Sequence, residues 1–141
     1  MAKSTKLKAR LVLFNGTKTL LLRQTKKNGG NYSLVGGNID ADEFARTTLV
    51  RESMEEAGII LHEPDLQLIH VLHKRTKNGH RIILYFRTDY WQGSPESREP
   101  KKFKDVEWCS LYNLPENLTS TVRHVLGQIK RGNRFSEFRK S

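Results

Sequence analysis

Gly36-Gly37-Asn38-Ile39-Asp40-Ala41-Asp42-Glu43, running on to Arg51-Glu52-Ser53-Met54-Glu55-Glu56-Ala57-Gly58, inverts the charge of the chain around it. The sequence carries 25 Lys/Arg against 15 Asp/Glu, a net charge of +10. Residues 1–39 hold eight Lys/Arg and no acid, whereas six of the 15 acids fall between Asp40 and Glu56. The stretch reads as a glycine-rich turn feeding one helix. Asp40 suits an N-cap, and Glu43 follows three residues later in capping-box position. Gly58 stands where a left-handed glycine would close the helix. These signals together predict a helix of about 17 residues.

At about 100° per residue, Phe44, Ala45, Thr48 and Leu49 form the core arc of that helix. Glu52, Glu55 and Glu56 continue the same arc instead of turning to water. Three glutamates in one C-terminal turn repel one another and oppose the helix dipole, which prefers cations there. Turned inward, they need a positive partner, and Arg51 is expected to neutralise one charge at most. The ordinary alternative is a solvated acidic face. A divalent cation compensates better: Mg2+ or Mn2+ takes hard oxygen ligands and bridges carboxylates to phosphate oxygens. The five histidines (62, 70, 73, 80 and 124) show no ligand spacing that would suggest zinc. Carboxylate-held metal in a basic chain points to a phosphorylated substrate.

Working outward, Lys6–Phe14 and Thr19–Gln24 read as strands joined at Asn15-Gly16, a two-residue hairpin signal. Tyr32–Val35 is a short strand entering Gly36-Gly37. Leu66–Arg75 and Arg81–Tyr90 are strands around a second hairpin signal at Asn78-Gly79. Residues 92–104 form a polar loop carrying Glu96 and Glu99. Val106–Leu111 is a short strand, and Thr119 or Ser120 caps a last helix through Lys130, followed by a basic tail with Phe135 and Phe138. Strands interspersed with helices imply a mixed sheet flanked by helices, in one domain spanning residues 1–141. No apolar run approaches the length of a membrane span. A lone Cys109 fits a reducing, cytoplasmic setting. Oligomeric state is not legible.

Gly37, Glu43, Arg51-Glu52, Glu55-Glu56, Ala57, Gly58 and Ile59, at their spacing over residues 37–59, closely resemble the Nudix box. Ser53 replaces the usual bulky aliphatic, and Val35 stands where a proline often precedes the two glycines. Residues 91–117 are similar to the C-terminal half of mutator-type bacterial nucleotide pyrophosphohydrolases. The resemblance implies a Nudix-type α/β/α sandwich, with the catalytic loop and helix packed on a mixed sheet. It implies Mg2+-dependent hydrolysis of a pyrophosphate bond in a nucleoside diphosphate linked to another moiety. Carried over, Glu52, Glu55 and Glu56 are catalytic metal ligands, with Glu52 favoured as general base and the Gly36 carbonyl as a further ligand. Glu43 and Arg51 form a bracing salt bridge, and Glu99, with Glu96 as runner-up, completes the metal site. Arg23, Gly37 and Asn117 are the expected substrate contacts, although an exposed strand-end arginine and a plain turn asparagine are the ordinary alternatives. The expected substrate is a nucleoside triphosphate or a related small nucleotide. The 5′ end of RNA is the alternative, and a catalytically silent nucleotide-binding domain is a third reading.

Overall fold

The period-two alternation of the first residues builds the strand that everything else is laid against. In the computed structural model, which describes residues 3–140, β1 spans Ser4–Val12. Ala9 and Leu11 point to one face and Lys8, Arg10 and Val12 to the other. After it come β2 (Phe14–Asn15), β3 (Lys18–Gln24), β4 (Tyr32–Ser33) and β5 (Gly36–Asn38). Helix α1 (Ala45–Ala57) precedes β6 (Gln67–Thr76), β7 (Gly79–Arg87) and β8 (Phe103–Ser110). Helix α2 (Ser120–Lys130) and β9 (Phe135–Arg139) complete the described residues.

The strands fall into two sheets. One has the order β5-β1-β7-β6-β9 and mixes parallel with antiparallel pairing; in the other, β3 pairs with β2, β4 and β8. Both turns occur where the signals stand, with Asn15 opposite Lys18 and Thr76 opposite Gly79. The expected strand Lys6–Phe14 is split, however: only β2 pairs with β3, while β1 pairs with β5 and β7 in the other sheet. Helix α1 covers one face of the five-stranded sheet, where Leu49, Ala57, Leu11 and Phe86 pack together. Helix α2 covers the other, with Val122, Val125 and Leu126 against Leu72, Ile83 and Tyr85. The Thr119 hydroxyl caps α2 by accepting the Val122 N–H at 3.3 Å. The result is the expected α/β/α arrangement with a mixed sheet.

Two further local expectations change, and the tail, which the sequence left open, takes a definite place. The Gly36-Gly37 segment is a strand, not a turn: it pairs antiparallel with β1, Gly36 opposite Arg10 and Gly37 opposite Ala9. Gly36 has φ 138°, and a Cβ there would overlap the Ala9 carbonyl, so glycine serves close backbone approach. Helix α1 begins at Ala45 and has 13 residues, without a side-chain cap at Phe44. Asp40 is not the cap because its carboxylate goes to Arg51, and Glu43 lies in the loop, its N–H closing a turn onto the Asp40 carbonyl. Phe44, assigned above to the core arc, is 86% exposed. The basic tail is the edge strand β9, parallel to β6, because Ser136 and Phe138 alternate inward. Among the described residues no helix is long and apolar enough to cross a membrane.

Gly36→Ala is expected to lose at least about 2 kcal/mol of stability, since it meets both the steric overlap and the disfavoured φ. Urea denaturation of the variant against the parent chain checks it.

Candidate active site

The centre of the site is the buried end of α1. Leu49, Ser53, Glu56 and Ala57 are buried on one face, and Glu56 is the carboxylate caught on it, 2% exposed. Gly58 ends the helix with φ 65°, its N–H bonding back to the Met54 carbonyl at 3.1 Å. The 92–104 loop completes the closure through its backbone: Glu96 N–H bonds the Ala57 carbonyl at 3.1 Å and Arg98 N–H the Glu56 carbonyl at 2.9 Å. The Arg98 guanidinium lies against Gly58, a cation at the negative end of the helix.

Ladder bonds from Leu11 N–H to the Val35 carbonyl and from Ile39 N–H to the Leu7 carbonyl flank the β1–β5 pairing. They make Arg10–Gly36 a non-hydrogen-bonded pair, so the Gly36 N–H and carbonyl turn away from β1. That N–H donates to Glu56 Oε1 at 2.9 Å. Next to it, Gly37 faces the Glu52 carboxylate so closely that a Cβ would stand 2.9 Å from Oε1. The glycine pair is thus a seat for two helix carboxylates.

Arg51 braces the seat. Its Nε and Nη2 donate to the two oxygens of Glu43 at 3.0 and 2.9 Å, and Glu43 also accepts the Thr48 hydroxyl at 2.9 Å. The guanidinium further reaches Asp40 at 3.3 Å and Glu52 and Glu55 at 3.2 Å. One arginine therefore contacts four acids, where the sequence suggested one. The Arg51 hydrogen bond holds the Glu43 carboxyl down at about 2, whereas burial pushes Glu56 up to about 7, with Glu52 adding repulsion. Burial also raises Glu52, against the pull of Arg51. Ser53, in place of a bulky aliphatic, is fully buried, and among the described residues its Oγ has no hydrogen-bond partner.

Glu52 and Glu56 open into a cleft of about 380 Å³ lined also by Lys8, Arg10, Gln24, Ser33, Gly36, Gly37, Asn38, Asp40, Arg51, Lys102 and Phe103. The structure brings Gly36, Gly37, Arg51, Glu52 and Glu56 together there and leaves the other expected residues outside. Glu55 is half exposed and turned to Arg51. Glu96 pairs with Arg98 at 3.4 Å. Glu99 acts through its backbone, its carbonyl accepting the N–H groups of Lys102 and Phe103 at 2.9 and 2.8 Å and so turning those residues to the cleft. Arg23 stacks over Tyr32, and Asn117 donates to the Gly30 carbonyl at 2.7 Å. Lys8, Arg10 and Lys102 are cleft residues that sequence reasoning missed. The alternation of Lys6, Lys8 and Arg10 along β1 was the available signal; Lys102 had none.

Among the described residues, no three Asp, Glu, His or Cys side chains form a ready-made metal cluster. The donor chemistry nevertheless fits Mg2+, which binds through one or two carboxylates and completes its shell with water and substrate phosphate. Glu52 and Glu56 would supply the carboxylates. The outward Gly36 carbonyl could serve as a third hard donor, and burial pushes Glu56 toward its neutral form where no cation offsets it.

The NUDIX domain family model matches residues 5–128. The chain belongs to the Nudix hydrolase family. Among curated relatives, it is 26% identical over 105 residues to an NAD-capped RNA hydrolase NudC of Stutzerimonas stutzeri, covering 74% of this chain and 36% of that protein. It is 30% identical over 97 residues to an ADP-ribose pyrophosphatase of Methanocaldococcus jannaschii, covering 69% of this chain and 56% of that protein. The chain thus spans only about a third to just over half the length of these relatives. In fold it is similar to a MutT NUDIX hydrolase of Burkholderia pseudomallei, with TM-score 0.80, 24% identity and coverage of 90% of this chain and 99% of that one. A MutT protein of Methanosarcina mazei aligns with TM-score 0.78 and 21% identity, covering 93% and 96%.

The Glu56 carboxyl, at about 7 in the fold against an ordinary 4.5, holds a proton that the unfolded chain has released between those values. Its contribution to stability is complete below 4.5 and is lost as pH rises through 7. Without metal, Tm is expected to fall by roughly 5 °C between pH 6 and pH 8. Glu56→Gln should flatten that fall, and Mg2+ should raise Tm at the upper pH; thermal melts in chelator with and without added Mg2+ check both.

Proposed function

We propose that the chain is a Mg2+-dependent pyrophosphohydrolase, cleaving the pyrophosphate bond of a nucleoside diphosphate linked to a further moiety. The observation that carries this reading is one cleft holding two desolvated carboxylates, Glu52 and Glu56, beside the cations Lys8, Arg10 and Lys102. Mg2+ bound there would polarise a phosphoryl oxygen and acidify an attacking water. The chain's own residues do the rest. Lys8, Arg10 and Lys102 bind and neutralise the non-bridging oxygens of the pyrophosphate. Glu56, fixed by the Gly36 N–H, and Glu52 supply the carboxylates, with Glu55 outside the cleft on Arg51. Glu52 is the favoured proton acceptor because it is less buried than Glu56 and, seated over Gly37, lines the open cleft. Arg51 and Glu43 keep the loop and helix in register.

A nucleoside triphosphate or related small nucleotide meets these demands. RNA with a 5′ pyrophosphate meets them as well, and two observations favour keeping it: the charge of +10 and the likeness to NudC proteins described as NAD-capped RNA hydrolases. A silent binding domain is disfavoured because Glu52, Glu55 and Glu56 are all present.

Glu56→Gln should fold and lose about three orders of magnitude in kcat. Release of phosphate or pyrophosphate from a panel of nucleoside triphosphates, dinucleoside polyphosphates and 5′-triphosphorylated RNA reads it; near-parental turnover would sink the assignment. Gly37→Ala is a finer probe. Its Cβ meets only the flexible end of Glu52, so stability should stay within about 1 kcal/mol, while kcat drops about tenfold or more through the displaced carboxylate.

A further inference from the structure

The five-stranded sheet carries more positive charge than the cleft uses. Lys6, Lys8 and Arg10 alternate along β1 onto the face that Val12 presents to the α2 side of the core. In β7, Arg81 stands in register with Lys6; in β6, Lys74 stands in register with Arg81. Lys6, Arg81 and Lys74 therefore form one row across three adjacent strands, about 10 Å wide. Phe138 of β9, in register with Lys74, ends the row with an aromatic ring that is half-buried against the α2-side core, stacked on His124 at 4.7 Å, and in part still exposed. Along β1 the row continues through Lys8 to Arg10, about 13 Å from Lys6, and those two residues line the cleft.

The row is built and uncompensated. Arg10 donates to the Leu34 carbonyl at 3.1 Å, and Arg81 to the Ser4 and His80 carbonyls at 3.0 and 2.8 Å, so both guanidinium groups are held in place. Lys8, Arg10, Lys74 and Arg81 are all half-buried. Among the described residues none of the five cations enters an ion pair. Burial pushes Lys8 down to about 8, helped by Arg10, Lys74, Arg81 and Lys6. Lys74 is lowered by burial and then by Lys140, Arg10 and Arg81. Every charged neighbour acting on these two lysines is another cation. An anion lying along the row would relieve this mutual repulsion while leaving the lysines charged, and the span of the row exceeds what one pyrophosphate covers.

We propose that this row is a track for a single-stranded polynucleotide whose 5′ pyrophosphate sits in the cleft. Lys6, Lys74 and Arg81 hold successive backbone phosphates, and the exposed part of the Phe138 ring, backed by His124, lies against a base. Cationic grooves interleaved with aromatic rings bind single strands in this way, without reading sequence. The aromatic end of the row is what favours a polynucleotide over a bare polyphosphate. The direction of the strand rests on the pyrophosphohydrolase reading above; binding to the row does not.

The test measures binding, separately from turnover. A short 5′-triphosphorylated RNA oligonucleotide, labelled at its 3′ end, is titrated with the parent chain and with a Lys74→Gln/Arg81→Gln variant, read by fluorescence anisotropy. Inorganic tripolyphosphate, which the cleft alone can hold, is measured in parallel by calorimetry. Losing two phosphate contacts should weaken the RNA about tenfold and reduce the slope of log K against log salt by about 1.4, between roughly 50 and 200 mM salt. Tripolyphosphate affinity should change less than about twofold. A Lys6→Gln/Lys74→Gln variant, which leaves the Arg81 hydrogen bonds in place, should show the same pattern and guards against misfolding of the first. Unchanged RNA affinity and slope in both variants would overturn the track. Equal losses for RNA and tripolyphosphate would overturn it too, in favour of a general charge effect. Failure to hydrolyse any pyrophosphate substrate would instead overturn the reading of the cleft and leave the RNA-binding result standing.

Discussion

The candidate site depends on one guanidinium. Arg51 sits between the loop acids Asp40 and Glu43 and the helix acids Glu52 and Glu55, and four carboxylates converge on it. Only its pairing with Glu43 has the fork geometry that makes such bonds strong and directional. That pair draws Glu43 out of a capping role, which is why the loop from Asp40 to Phe44 stays outside the helix. Because Arg51 is one-third exposed, its worth lies more in orientation than in stability. It fixes the angle at which α1 leaves β5, and so where Glu52 and Glu56 stand.

A second constraint is steric. Gly36 and Gly37 lie between β1 and α1: the Ala9 carbonyl leaves no room for a side chain on the first, and the movable Glu52 carboxylate crowds the second. The same two residues thereby close the sheet edge and open a floor for carboxylates. Burial then sets the electrostatics. Glu56 is deepest and most strongly raised, Glu52 is intermediate, and Glu55 reaches solvent. Three residues that look equivalent in the sequence acquire different chemistry from a difference of depth along one helix turn. The unsatisfied Ser53 hydroxyl behind them is a polar atom tolerated where the core is otherwise apolar.

The basic character of the chain also resolves into places. Lys8, Arg10 and Lys102 face the carboxylates, while Lys6, Lys74 and Arg81 continue the positive field away from them. The 92–104 loop shows how indirect a contribution can be. Its acids do not enter the cleft, yet its backbone closes the C-terminus of α1 and its Glu99 carbonyl turns Lys102 and Phe103 inward.

By itself the sequence determined the two hairpin turns, the helix stop at Gly58, the final capped helix, the α/β class and the family. Each rests on local stereochemistry or short-range spacing: turn glycines, a capping hydroxyl, and a box within 23 residues of chain. The inward turn of Glu52 and Glu56 was legible as well, because helical periodicity carries phase. The start of α1 was not, since Asp40 and Glu43 choose between helix N–H groups and a guanidinium eight or more residues away. Only the tertiary structure made a strand of Gly36-Gly37, paired the tail with β6, and separated Glu55, Glu99, Arg23 and Asn117 from the cleft that Lys8, Arg10 and Lys102 enter. Those outcomes turn on which strands become neighbours and how deep each side chain is set, and residues far apart in the chain decide both.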